Sequence, residues 1–132
     1  MDYLNPPSIG MPVTRIFAFL FATLAALPAL AEELVMVEQD GCHWCEQWHQ
    51  DIGPIFPKTT EGKFAPLRRI DIHDTLPSDL TFQSDPVFTP TFVLIRDGVE
   101  IGRIEGYPGE DFFWGLLGQM LRAETDYTGE TS

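Results

Sequence analysis

Two cysteines stand in the 132-residue chain, Cys42 and Cys45, three positions apart in the stretch Asp40-Gly41-Cys42-His43-Trp44-Cys45. Before them runs an apolar segment of strand length, residues 34–37 (LVMV). After them residues 46–52 (EQWHQDI) contain good helix formers and neither Gly nor Pro. The pattern predicts a strand, a tight turn at Asp40-Gly41, and a helix whose first turn carries both thiols. A thiol at a helix start faces unpaired backbone N–H groups and the positive end of the helix dipole. Both stabilise a thiolate, the nucleophile of disulfide exchange. One turn further in, Cys45 lies within reach to resolve a mixed disulfide formed on Cys42.

Other uses of Cys-x-x-Cys fit less well. Structural zinc needs four ligands, and there is no second pair; the remaining histidines, His49 and His73, stand alone. Covalent haem attachment needs His directly after the second cysteine, where this chain has Glu46. A purely structural disulfide across two residues closes too small a loop to restrict the unfolded chain much. Thiol chemistry of this kind asks for no cofactor and no metal.

The elements that must position the pair follow in order. Gly53-Pro54 and Pro57 end the cysteine helix near Asp51, or Pro54 kinks a longer helix that resumes through Ile55 and Phe56. Residues 58–62 read as a polar connection and 67–72 (LRRIDI) as an alternating strand. Residues 74–84 predict a short helix or a turn. Residues 91–95 (TFVLI) form the most strand-like run, and Asp97-Gly98 signals a hairpin to a partner strand over 99–105. Residues 110–123 place Phe112, Phe113, Leu116, Leu117, Met120 and Leu121 at helical spacing, and the tail from Glu124 is polar. The order β-α-β-(α)-β-β-α makes the first two strands parallel and the last two antiparallel. It gives an α/β domain with a four-stranded mixed sheet flanked by helices on both faces.

The N-terminus carries an address. Residues 16–30 (IFAFLFATLAALPAL) are almost wholly apolar, follow Arg15, and end in Ala29-Leu30-Ala31 before Glu32-Glu33. Basic flank, apolar core and small-x-small motif describe a cleavable export signal over 1–31, leaving 32–132 as the domain. The run falls short of the roughly 20 residues that span a bilayer, so no permanent membrane span is expected. Met11 is an alternative start that gives a more compact signal. Export delivers the pair to an oxidising compartment, the periplasm in this reading. With 8 basic and 20 acidic residues the net charge is −12, and losing 1–31 removes one of each. Such a surface does not seek nucleic acid or anionic lipid, and it favours solubility. A monomer is expected.

With these residues in place, the chain from about residue 34 to 122 resembles the thioredoxin superfamily. The likeness rests on Cys42-His43-Trp44-Cys45 after the first strand and on Thr89-Pro90 before the third. It implies that Pro90 is cis, facing the cysteines, and that the backbone of Thr89 pairs with an extended substrate segment beside Cys42. His43, Trp44, Thr89 and Pro90 are the substrate-binding candidates. Residues 102–109 (GRIEGYPG) with 111–114 (DFFW) are similar to the small periplasmic thioredoxins of bacterial sulfur oxidation, the SoxS type. That resemblance implies a reductant that keeps the sulfur-carrier protein of a thiosulfate-oxidising system active, fed by a membrane thiol transporter. Two departures stand out. Where thioredoxins carry a buried acid six residues before the first cysteine, this chain has Met36, and Glu38, Asp40 and Glu46 are the substitutes at hand. The dipeptide is His43-Trp44 rather than Gly-Pro, and a histidine there stabilises the thiolate and makes the disulfide more oxidising. A periplasmic oxidase of the common type carries a large inserted helical domain, for which this chain has no room. The balance predicts an intermediate potential. Two alternatives stay open: a glutaredoxin-like or general disulfide oxidoreductase and isomerase, and a peptide-binding module with a static disulfide. Of the neighbouring aromatics, one of Trp44 and Trp48 is expected at an exposed rim and the other in the core. His49 is expected at the helix surface, Phe113 and Trp114 in the core, and one of Arg68-Arg69 in solvent.

Overall fold

The computed structural model describes residues 31–130, together with Tyr3 and Gly10. The expected export signal lies outside the described residues. The strands are β1 (Glu32–Glu38), β2 (Leu67–Asp71), β3 (Thr91–Arg96) and β4 (Val99–Glu105). The helices are α1 (His43–Asp51), α2 (Thr60–Phe64) and α3 (Glu110–Glu124), with a 3-10 turn at Phe56–Lys58. The sheet order is β2-β1-β3-β4. β1 runs parallel to β2 and antiparallel to β3, and β4 closes the hairpin antiparallel to β3. This is the predicted four-stranded mixed sheet of the thioredoxin fold.

The hairpin turns at Asp97-Gly98, both at positive φ (49° and 79°), which suits the right-handed twist of the flanking strands. β1 and β3 are buried on both sides, which explains their nearly continuous apolar runs. On one face Leu34, Met36, Phe92, Leu94 and Ile104 pack against Trp48 and Ile52 of α1 and Phe113, Leu117 and Leu121 of α3. Trp48 touches the rings of Phe56, Phe92 and Phe113 at centroid distances of 5.8, 5.3 and 5.7 Å.

The other face departs from the expectation of helices on both sides. Val35, Val37, Val93 and Ile95 are covered by Leu80 and Phe82, from a connection that contains no helix. Residues 72–90 form turns and one isolated bridge, Thr81 to Val99. Charged clamps hold this segment in place of helical packing. Arg68 makes a two-pronged contact to Asp79 at 2.7 and 3.0 Å. The buried carboxylate of Glu100 accepts from Arg103 Nε at 2.6 Å and from the backbone N–H of Gln83 at 2.7 Å. Arg103 also donates to the carbonyl of Ser84 at 2.7 Å.

Of the two readings of the Pro54 region the first holds: the cysteine helix ends at Asp51, and after turns only the 3-10 turn at Phe56–Lys58 follows. Two further details differ from the sequence reading. The connection at 58–62 holds the start of α2, a single capped turn whose N-cap Thr59 accepts the N–H of Gly62 at 3.0 Å. On α3, Phe112 and Leu116 face outward (70 % and 40 % exposed), so the apolar stripe is narrower than the pattern of six. Phe113 is fully buried and Trp114 packs at the edge of the core, its ring stacked on Phe56.

Candidate active site

The strand order decides where the site lies. β1 and β2 run parallel, so both end at the same edge, and β3, antiparallel to β1, begins there. Three connections therefore meet: residues 39–42 after β1, 72–74 after β2, and 87–90 before β3. The cysteine loop turns through Gly41, whose φ of 72° suits a residue without a Cβ. Cys42 then stops in extended conformation (φ −80°, ψ 103°) as the N-cap of α1. Its Sγ accepts the backbone N–H of Cys45 at 3.1 Å, so sulfur fills the place that a Ser or Asp oxygen fills in ordinary caps. A thiolate at that atom gains both the hydrogen bond and the helix dipole. Cys42 and Cys45 are joined by a disulfide, and both are largely buried.

The peptide bond between Thr89 and Pro90 is cis, as the resemblance implied. Pro90 is buried and its carbonyl accepts the N–H of Gly106 at 2.7 Å, which ties this loop to the one before α3. Thr91 donates its hydroxyl back to the carbonyl of Phe88 at 2.6 Å. Thr89 is linked to the cysteine loop by Gln39, whose amide donates to the Thr89 hydroxyl at 2.7 Å. The structure thus brings Cys42, Cys45, Thr89 and Pro90 to one end of the sheet. His43 and Trp44 stand on the exposed first turn of α1, with Trp44 54 % exposed, whereas Trp48 is fully buried. Val87 and Phe88, beside the cis bond, add exposed apolar surface at 75 % and 59 %. Sequence reading did not single out Gln39, Val87 or Phe88. Only the closeness of the last two to Pro90 would have flagged them.

Met36 is fully buried, so no acid lies at that point of the core. Glu38, two residues along β1, carries the nearest of the three named carboxylates to the sheet. Its oxygens accept from His49 Nε2 at 2.9 Å and from Arg69. Burial opposes its ionisation, but hydrogen bonds from Arg69 and His49 outweigh this and hold it below the usual glutamate range. His49 is accordingly half-buried and hydrogen-bonded to Glu38 rather than a free surface residue. Arg69 is the more solvated arginine of its pair, though both are paired. At the far end of α1, Tyr107 donates to Asp51 at 2.8 Å, and burial together with that bond raises the phenol well above its usual range.

Among the described residues, no helix is long and apolar enough to cross a membrane. Comparison with protein-family models and with curated proteins finds no match. Among solved structures, the chain is similar to the reduced form of the periplasmic thioredoxin SoxS from Paracoccus pantotrophus. The two share 47 % identity with a TM-score of 0.68, over 69 % of this chain and 96 % of that one. Identity at that level over nearly the whole of SoxS, with a Cys-x-x-Cys pair at the start of α1, gives the chain a thioredoxin-like redox role. The chain belongs to the family of SoxS-type periplasmic thioredoxins.

Proposed function

We propose that the chain is an exported thiol–disulfide oxidoreductase that reduces protein disulfides. Its partner in this reading is a sulfur-carrier protein whose blocked thiol it frees. The observation that carries the reading is the placement of Cys42 Sγ as the cap of α1, at the sheet end that also holds the cis Thr89–Pro90 bond. Cys42, as thiolate, attacks one sulfur of the partner's disulfide. The S–S bond breaks, a Cys42–partner disulfide forms, and the departing partner sulfur takes up a proton. Cys45 then gives up its proton and attacks Cys42 Sγ, which forms the intramolecular disulfide and expels the second partner sulfur as a thiol. Two electrons have passed to the partner. Thr89, Pro90, His43 and Trp44 line the substrate side. Cleavage after Ala31 and residence in the periplasm belong to the same reading, and the periplasmic relative supports the second of these. A membrane thiol transporter returns the pair to the dithiol form.

The test uses the mature protein and a carrier whose cysteine is blocked as a mixed disulfide. Reduced wild type should release the carrier thiol, Cys42→Ser should not, and Cys45→Ser should accumulate a covalent carrier adduct. Equilibration with glutathione buffers supplies the second measurement. A potential near thioredoxin's, about −270 mV, or between it and the disulfide isomerase value of about −180 mV, fits a reductant. One close to −120 mV marks an oxidant and removes the proposal.

A further inference from the structure

Gln39 touches all three connections that meet at the site. Its backbone carbonyl accepts the N–H of Cys42 at 3.3 Å. Its side-chain amide donates to Thr89 Oγ1 at 2.7 Å, and its amide oxygen lies 3.0 Å from His73 Nε2. His73 is itself seated, since its backbone N–H donates to Asp71 Oδ1 at 2.8 Å just after β2. The β1 and β2 ends are also joined directly, through the Ile72 N–H to the Glu38 carbonyl at 2.9 Å. On the opposite side, the loop with Val87 and Phe88 is exposed, and the Gln39–Thr89 bond is the side-chain link from the cysteine loop to it among the described residues.

We infer that Gln39 is a positioning residue: with His73 orienting its amide, it holds Thr89–Pro90 at a fixed spacing from Cys42 and so sets the slot that an extended protein substrate must enter. The inference rests on the protein-disulfide reading above and extends it. A polypeptide needs both walls of the slot, Cys42 to react with and the Thr89 backbone to align on. A small aromatic disulfide needs only access to Cys42 Sγ. Loosening one wall therefore slows the first substrate and leaves the second alone, which distinguishes positioning from a general loss of fold.

The experiment compares reduced full-length mature protein on two oxidants, a protein disulfide such as insulin and the small disulfide 5,5′-dithiobis(2-nitrobenzoate). Loss of one or two hydrogen bonds that order a loop predicts that Gln39→Leu lowers kcat/KM on insulin about fivefold to tenfold, through KM, with the small disulfide changed less than about twofold. His73→Phe, at an exposed position, should lower the insulin rate about twofold in the same selective way. Gln39→Glu, which still offers acceptors to the Thr89 hydroxyl and to His73, should recover to within about twofold of wild type. Adding Gln39→Leu to Thr89→Val should cost no more than Thr89→Val alone, because the bond is already gone. An insulin-to-small-disulfide ratio that stays at the wild-type value in both Gln39→Leu and His73→Phe overturns the inference, as do fully additive losses in the double variant. If Gln39→Leu does not fold, His73→Phe and the Glu variant decide. Failure of wild type to reduce insulin at all would instead sink the protein-disulfide reading itself.

Discussion

Removing the carboxylate of Glu100 should be among the most damaging single changes outside the cysteine site. Glu100 is 4 % exposed, accepts from two nitrogens of Arg103 and from the Gln83 N–H, and so joins β4 to the start of the 83–90 segment. Breaking a buried pair from one side costs about 3–5 kcal/mol when the remaining charge is stranded. Here Arg103 keeps the Ser84 carbonyl and has Glu105 at 3.9 Å to turn toward, which lowers the figure. Glu100→Ala should therefore lose about 2–3 kcal/mol. For a domain near 100 residues that corresponds to a fall in Tm of roughly 10–20 °C. The urea midpoint should fall by about 1–2 M. Glu100→Leu combined with Arg103→Met removes both charges and should recover part of the loss, since apolar replacements of a whole pair approach neutrality. Urea unfolding followed by Trp fluorescence measures all three proteins, with Trp48 in the core as the reporter. A loss below about 0.5 kcal/mol for Glu100→Ala, the range of ordinary surface changes, would refute the assignment of this pair as the clamp on the helix-free face. So would a double variant that loses the full sum of its parts.

Acid should weaken the fold through the same groups. Glu38 and Glu100 both ionise more readily in the folded chain than at the ordinary glutamate value of 4.5, because partner hydrogen bonds outweigh burial. Their contribution is therefore complete above pH 4.5 and is lost as the pH falls through their lowered folded values. The urea midpoint should drop on that acid limb, and Glu38→Gln with Glu100→Gln should flatten it; equal slopes in both proteins would contradict the assignment. Trp44→Ala should leave Tm within a degree or two, because the ring is more than half exposed, while slowing reaction with protein disulfides severalfold. An unchanged protein-disulfide rate would remove Trp44 from the docking rim.

The parts of the molecule that could be read in advance are those whose local chemistry has one solution. Asp97-Gly98 between two strand-like runs had to be a tight hairpin, and both residues sit at positive φ. The strand before Cys42 and the helix after it followed from a short apolar run and a segment free of Gly and Pro. α2 was hidden for the opposite reason: TEGKF is one turn with a glycine inside it. That glycine is there for space, since a Cβ would lie 1.9 Å from the carbonyl oxygen of Phe56, so tertiary packing overrides propensity. Phe112 and Leu116 misled because helical spacing reports a face without reporting whether anything covers it.

Residues 72–90 carry the larger lesson about the site. The segment has helix-start residues at Ser78-Asp79 and an apolar pair at Leu80 and Phe82, and composition alone favours a helix and a turn equally. What decides is that two arginines from the opposite edge strands, Arg68 of β2 and Arg103 of β4, reach the segment by side-chain bonds at Asp79 and Ser84, and that Glu100 receives the Gln83 N–H. Backbone groups that a helix would have satisfied internally are met from outside instead. The chain is thereby free to bridge to Val99 at Thr81 and then to pass through bends to Val87, Phe88 and Thr89. A helix covering the same apolar face would bring its own rigid geometry to the entry of β3. A strapped, irregular segment leaves the cis Thr89–Pro90 bond located by point contacts: the Gly106 N–H on one side and Gln39 on the other. The geometry of the substrate slot is then set by a few replaceable side chains, while the sheet and the cysteine helix are held separately by the core around Trp48 and Phe113.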